Sequence, residues 1–201
     1  MTQPDTPVIA RPAASLVVLR RGGAPEVLMG MRGAKHRFMP NRLVFPGGAV
    51  DAADFDAPHA TTLRDEVRRR LEKSADPGLA RAIGIAAARE LEEETGLSLG
   101  SPPALDALDY LCRAVTPPGS PVRFDARFLV VDAARVSGEL AGSGELEDLR
   151  WFGVSEALAL DLAVPTRGVL ERLTAWMAMS EAERRAQTVV WGLYNRQWVE
   201  E

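Results

Sequence analysis

The sequence predicts a single α/β domain. Short β-branched and Leu-rich runs bounded by Gly and Pro alternate with stretches whose apolar residues recur at helical spacing. The chain has 201 residues, 46% of them hydrophobic, with no internal repeat, which suits one core with extensions. Together these point to strands and helices packed in layers.

The elements follow in order. Residues 1–13 carry three prolines and read as a flexible lead-in. Ser15 to Arg20 and Glu26 to Arg32 are strands joined by the turn Arg21-Gly22-Gly23-Ala24-Pro25, a hairpin pattern. Leu43-Val44-Phe45 is a short strand stopped by Pro46-Gly47-Gly48, where the backbone turns sharply or approaches something closely. Thr61 to Lys73 is a charged amphipathic helix with Leu63, Val67 and Leu71 four apart, broken by Asp76-Pro77-Gly78. Leu79 to Glu94 is a longer helix with Leu79, Ile83, Ala87 and Leu91 as its stripe. Leu105 to Val115, Val122 to Asp132 and Leu149 to Phe152 are strands, and Gly138 to Gly144 is a loop. Ser155 caps a short helix, and Pro165 to Met179 forms a longer one. Residues 14–180 are expected as the domain, with an insertion at about 51–78. Residues 181–201 form a C-terminal extension ending in Trp191, Tyr194 and Trp198.

Bulk properties exclude some functions. A net charge of −4 argues against nucleic-acid binding through bulk positive charge, yet leaves a phosphate-bearing small molecule open, because a metal can bridge acid to acid. Cys112 is the only cysteine, so no internal disulfide forms and a reducing compartment fits. Met1 to Arg11 lacks a secretory pattern, no apolar run reaches membrane-spanning length, and the last residues are not a peroxisomal address. The expected location is cytoplasmic, with no membrane or nucleic-acid partner; a homodimer is left open.

The chemistry concentrates in Arg89-Glu90-Leu91-Glu92-Glu93-Glu94-Thr95-Gly96-Leu97. Glu90, Glu93 and Glu94 share one face of one turn. They repel each other, and they sit at a helix C-terminus whose partial charge disfavours carboxylates. Gly96 is the expected helix terminator. Such a set calls for a cation, and hard oxygen donors suit Mg²⁺ or Mn²⁺. A solvated acidic face is the ordinary reading of an isolated Glu-x-x-Glu-Glu; the flanking arginine, the Gly-Leu and the upstream Phe-Pro-Gly-Gly together favour the metal site.

These nine residues resemble the second half of the Nudix box, G-x5-E-x7-R-E-U-x-E-E-x-G-U, where U is a bulky aliphatic. Gly48 resembles its opening glycine. Arg89 lies 41 positions after Gly48 (89 − 48) where the pattern has 14, so about 27 residues are inserted. The pattern's first glutamate, which in the family pairs with the box arginine, has no clear counterpart; Asp51 and Asp54 are the nearest acids. The resemblance implies a Nudix fold, a mixed β-sheet sandwiched between α-helices. It also implies a metal site of Glu90, Glu93, Glu94 and the Gly47 carbonyl, with Arg89 orienting a carboxylate. A further glutamate would act as base or ligand, with Glu139, Glu145 and Glu147 as candidates.

Upstream, Leu28, Arg32, Arg37 and Phe45 to Gly48 fit the pattern L-L-T-x-R-[SA]-x3-R-x3-G-x3-F-P-G-G of Nudix coenzyme A diphosphatases. Met29, Gly30, Gly33 and Asn41 depart from it. Phe38 to Asn41 and the interrupted box resemble the branch that includes mammalian peroxisomal enzymes. Arg32, Arg37, Phe45 and Gly48 are then substrate-binding residues, the arginines serving a phosphate-rich ligand. An ordinary solvated basic turn at Arg32 to Arg37 is an equal reading. Pro165-Thr166 is a candidate pocket edge. The resemblance implies a diphosphatase acting on coenzyme A or acyl-coenzyme A. The rivals are an ADP-ribose or nucleotide-sugar pyrophosphatase, and a non-catalytic nucleotide-sensing module. The insertion is expected to pack beside the site.

Overall fold

The computed structural model of the protein describes residues 8–33 and 39–201. In chain order the strands are β1 (Arg11–Arg20), β2 (Glu26–Arg32), β3 (Leu43–Val44), β4 (Gly47–Ala49), β5 (Leu97–Ser98), β6 (Asp109–Val115), β7 (Phe124–Asp132), β8 (Ser137–Gly138), β9 (Leu146–Gly153), β10 (Trp191–Tyr194) and β11 (Gln197–Glu200). The helices are α1 (Asp65–Leu71), α2 (Pro77–Thr95), α3 (Val154–Ala159), α4 (Val164–Met177) and α5 (Glu181–Ala186). The main sheet runs β11-β10-β6-β7-β1-β2-β3, with β4 also on β1 and β9 on β2. It is mixed: β1 runs parallel to β7 and β10 parallel to β6, while the other pairs are antiparallel. This is the expected α/β sheet between helices.

The run Leu16-Val17-Val18-Leu19 explains why β1 sits at the centre. A strand buried on both faces reads as continuous apolar sequence. Leu16 and Val18 join Leu129 and Val131 against Ile83, Ala87 and Leu91 of α2. Val17 and Leu19 join Val130 against Val169, Leu170 and Leu173 of α4. The two cores hold α2 and α4 on opposite faces.

The main helix is well terminated. Asp76 accepts from the Leu79 N–H at 2.9 Å, Pro77 occupies the first turn, and Gly96 ends the helix with φ of +73°. Its middle is buried far beyond the expected stripe: every residue from Ala82 to Ala88 is buried. The insertion explains this. Leu63, Val67 and Leu71 join the same core as α2, and a Cβ on Gly84 would meet Leu63 Cδ2 at 3.3 Å. The small residues of 82–88 therefore admit packing on two sides, the sheet within and the insertion without.

Other expectations shift at their edges. Leu105–Ala107 forms a 3₁₀ turn, so β6 starts at Asp109. The short helix is capped at Gly153, whose N–H donates to Glu156, with Ser155 inside the first turn. Ser137–Gly138, at the expected loop start, pairs with Leu97–Ser98. The aromatic tail packs on the domain: β10 adds to β6, and Trp191 and Trp198 pack against the α4-side core. Arg113 clamps it, donating to Asp125 at 2.6 and 2.9 Å and to Glu201 at 2.8 Å. The insertion also grips this region. Buried Arg70 donates to the carbonyls of Arg184, Arg185 and Gln187, and Lys73 reaches the Glu201 carbonyl.

Candidate functional site

The site forms where the C-terminal half of α2 meets the Gly47-Gly48 backbone of β4. Helical spacing sets Glu90 and Glu94 on the side facing β4, while Glu93 points outward with 59% of its side chain exposed. The Gly47 N–H donates to Glu94 Oε2 at 2.8 Å. A Cβ on Gly48 would lie 2.2 Å from Glu90 Oε1, so the carboxylate rests on the bare glycine. A Cβ on Gly47 would meet the Ala14 carbonyl at 2.4 Å, with φ of +153°. The Pro-Gly-Gly stop thus serves two close approaches, one to β1 and one to the acidic helix.

These contacts predict opposite outcomes for two similar substitutions. Gly47→Ala collides with backbone and should cost several kcal/mol, in the range of severe single mutations (about 3–5). Gly48→Ala meets only the end of a flexible side chain, so stability should fall by less than about 1.5 kcal/mol. It should instead push Glu90 off its seat and weaken the binding of a divalent cation. Thermal melts and metal titrations of both variants check this.

Arg89 organises the acids. Its Nε and Nη2 donate to Asp54 at 3.0 and 3.1 Å, Nη2 also to the Ala49 carbonyl at 3.0 Å, and Nη1 to Glu90 and Glu93 at 2.8 and 3.0 Å. Asp54 is 1% exposed and also accepts from the Asp51 N–H at 2.8 Å. Asp54 is therefore the acid that pairs closely with Arg89, where sequence alone offers Asp51 and Asp54 equally. It lies six positions after Gly48, the interval of G-x5-E, with an aspartate in place of glutamate. The inserted residues lie between Asp54 and Arg89.

Glu94 is 3% exposed. Burial pushes its carboxyl up to about 7, the negative charges of Glu90 and Glu145 add to this, and the Gly47 N–H and Arg32 oppose it. Burial also raises Glu90, with Glu93 and Glu145 adding repulsion and Arg89 opposing. Glu145 is the loop acid whose charge is among the influences on both carboxylates. Glu139 lies in the loop whose carbonyl approaches Gly96, and Glu147 stands opposite Met31 in the β2–β9 pair.

Among the described residues no three acidic, His or Cys side chains close into a ready-made metal cage. The donor set nevertheless fits a hard divalent cation: carboxylates crowded in like charge, one of them forced toward protonation, packed against the Gly47-Gly48 backbone. An open arrangement of this kind leaves coordination positions for substrate and water.

A cleft of about 430 Å³ adjoins this cluster. Arg32, Phe45, Gly47 and Gly48 line it, as do Phe128, Pro165, Thr166 and Arg196. Arg32 Nη2 donates to the Gly47 carbonyl at 3.4 Å, while its Nε is buried without a partner among the described residues. Phe45 is a core residue with one side on the cleft, set edge-on to Phe128 at 6.3 Å. Arg37 lies outside the described residues. No residue between 55 and 88 lines the cleft; Asp54, at the start of the insertion, meets Arg89, and Leu63, Val67 and Leu71 cover the outer side of α2.

Comparison with known proteins finds Nudix relatives in sequence and in fold. The NUDIX domain family model matches residues 80–173. A curated relative from Caenorhabditis elegans, "Putative nudix hydrolase 7", is 39% identical over 85 residues, which are 42% of this chain and 21% of that protein. The chain thus spans about a fifth of that relative. A Nudix hydrolase structure from Alicyclobacillus acidocaldarius is similar at 27% identity, with 83% of this chain and 92% of that one covered and a TM-score of 0.64. A MutT Nudix hydrolase from Burkholderia pseudomallei shares the fold at 22% identity, covering 83% and 99%, with a TM-score of 0.55. So does the NUDIX domain of Shewanella oneidensis NrtR, complexed with ADP ribose, at 15% identity, covering 85% and 90%, with a TM-score of 0.51.

Proposed function

We propose, from the premise that this chain carries a NUDIX domain on a Nudix fold, that it is a divalent-metal-dependent hydrolase cleaving the diphosphate bond of a nucleoside diphosphate derivative. The observation that carries this reading is the convergence of Glu90 and Glu94 on the Gly47-Gly48 backbone beside a cleft. Among the described residues, the only charged groups lining that cleft are Arg32 and Arg196.

Glu90, Glu93, Glu94 and the Gly47 carbonyl are the proposed metal holders, and Mg²⁺ or Mn²⁺ there would neutralise the diphosphate and lower the pKa of a bound water. Arg89 ties Glu90 and Glu93 to Asp54 and keeps their oxygens aimed. Glu145, ahead of Glu139 and Glu147, accepts the proton of the attacking water or supplies a further donor. Arg32, with an unpaired buried donor, takes a diphosphate oxygen, and Gly48, which lines the cleft, seats the Glu90 carboxylate beside the substrate. Phe45 walls the cleft.

The favoured substrate is coenzyme A or an acyl-coenzyme A, on the Arg32 and Phe45–Gly48 pattern. Cleavage of coenzyme A would release adenosine 3′,5′-bisphosphate and 4′-phosphopantetheine. ADP-ribose is the second reading, because a fold neighbour was solved with that ligand. A metal-dependent hydrolysis screen over coenzyme A, acyl-coenzyme A, ADP-ribose, NADH and nucleoside triphosphates decides between them. Equal rates on coenzyme A and its 3′-dephospho form would sink the coenzyme A reading.

The raised carboxyl of Glu94 has a measurable consequence. Without metal, the folded state holds a proton that the unfolded state releases at ordinary carboxylate pH, so this group's contribution to stability is lost as pH rises toward about 7. A cation bound to the ionised form reverses the penalty. The rise in melting temperature on adding Mg²⁺ should therefore grow between pH 6 and pH 8. A rise independent of pH would argue against Glu94 as a ligand.

A further inference from the structure

One residue on the cleft is held in a conformation that its own side chain opposes. Among the described residues, those other than glycine with positive φ are Met39, Asn41, Asp148, Asn195 and Arg196. Asn and Asp tolerate this region. Asn195 and Arg196 form the two-residue turn between β10 and β11, and the favoured turn of that length has positive φ at both positions. Met39 has neither reason. Its φ is 52°, where a side chain crowds the backbone. It also precedes Pro40, and a proline steers the residue before it toward extended backbone, with φ of about −120°.

The neighbouring chain keeps Met39 there. The Arg32 N–H donates to the Arg42 carbonyl at 2.9 Å and the Asn41 N–H to the Arg32 carbonyl at 2.8 Å, so the backbone is pinned two residues beyond Met39. A glycine would meet this demand without strain. Core packing does not account for the methionine: it is half-buried and joins neither apolar core among the described residues. It lines the cleft instead, with Arg32, Val44, Phe45 and Phe128. Backbone strain of this kind persists where a site makes use of it. The hydrogen bond from Asn41 sets Met39 close along the chain to the strand end that carries Arg32, so one ligand meets both side chains.

We infer that Met39 is a specificity-determining residue of the cleft, whose thioether side chain packs against the nucleobase of the substrate. This deepens the hydrolase reading and rests on it for the substrate class, a nucleoside diphosphate derivative. The chemistry favours a base over an aliphatic group. A thioether sulfur is polarisable and makes favourable contacts with the edge of an aromatic ring, and its unbranched chain adapts to where the ring lies. Val44, branched at Cβ, offers the same cleft an apolar surface of fixed shape. Arg32 then takes the diphosphate oxygen while Met39 takes the ring.

The test is calorimetric titration of the full chain, in Mg²⁺, with adenosine 5′-diphosphate and with inorganic diphosphate, which share the phosphates and differ by the nucleoside. Met39→Gly should weaken adenosine 5′-diphosphate about tenfold, as the loss of one apolar contact allows, and leave inorganic diphosphate unchanged. Met39→Leu, which keeps the apolar bulk and loses only the sulfur, should recover most of the loss. The melting temperature of Met39→Gly should rise or stay within about 4 °C of the parent, because relief of strain offsets the looser unfolded chain. Equal losses for the two ligands, no binding of adenosine 5′-diphosphate by the parent, an affinity for it that survives Met39→Gly, or a larger fall in melting temperature overturns the inference. Absence of turnover on every diphosphate, with the nucleoside-dependent loss intact, would fault the hydrolase reading and leave the role of Met39 standing.

Discussion

Glu94→Gln lowers metal-dependent turnover by on the order of 10³-fold while the protein stays folded. Several kcal/mol of charge stabilisation depend on a properly held cation, and about 1.4 kcal/mol corresponds to each tenfold in rate. The substitution is conservative for the fold, because an amide oxygen still accepts the Gly47 N–H that Glu94 Oε2 accepts at 2.8 Å. It removes the negative charge in a buried position where no other acid of α2 can replace it: Glu90 is engaged at Gly48 and Arg89, and Glu93 faces outward. Glu92→Gln, two residues before it on the other side of the helix and exposed beside Ser98, is the control and keeps its rate. Steady-state kinetics with saturating Mg²⁺, paired with a thermal melt, decides the matter. Unimpaired hydrolysis by Glu94→Gln would refute the assigned site.

Asp54→Ala is expected to carry the largest stability loss of any single charge removal near the site. It strands part of the Arg89 guanidinium and the Asp51 N–H, both of which Asp54 satisfies from a position 1% exposed. Removing one partner of a buried pair costs about 3–5 kcal/mol. For a chain of this size that lowers the melting temperature by roughly 10 °C. Activity falls with it, because Arg89 loses the anchor that aims it at Glu90 and Glu93. Asp54→Glu keeps the charge pair and should recover more than half of the loss. A melting temperature for Asp54→Ala within about 2 °C of the parent would show that Arg89 is held by its other partners alone.

Asp54 also shows where sequence reading stops. Its interval from Gly48 matched the pattern, but its side chain is one methylene short, and the insertion that follows destroys the spacing to Arg89 that would have confirmed it. Only the folded chain, which brings residue 54 against residue 89, identifies the pair. Glu139, Glu145 and Glu147 are likewise alike in sequence; in the fold the charge of Glu145 adds to the upward push on Glu90 and Glu94. The insertion shows the same limit: its first residues reach the site through Asp54, while Leu63, Val67 and Leu71 join the core shared with α2.

The acidic face of α2, its ending at Gly96 and the Gly-Gly approach are legible from local pattern, because helical periodicity and glycine sterics act over a few residues. The sequence by itself also determined the α/β class, through the continuous apolar run of β1 and the stripe of α2. The tertiary structure alone decided which acid holds Arg89, what the insertion covers, and that the chain's last hairpin faces the cleft. Those outcomes depend on strand order and on packing between residues tens of positions apart, such as Gly168 against Trp198, and no local pattern encodes such a contact.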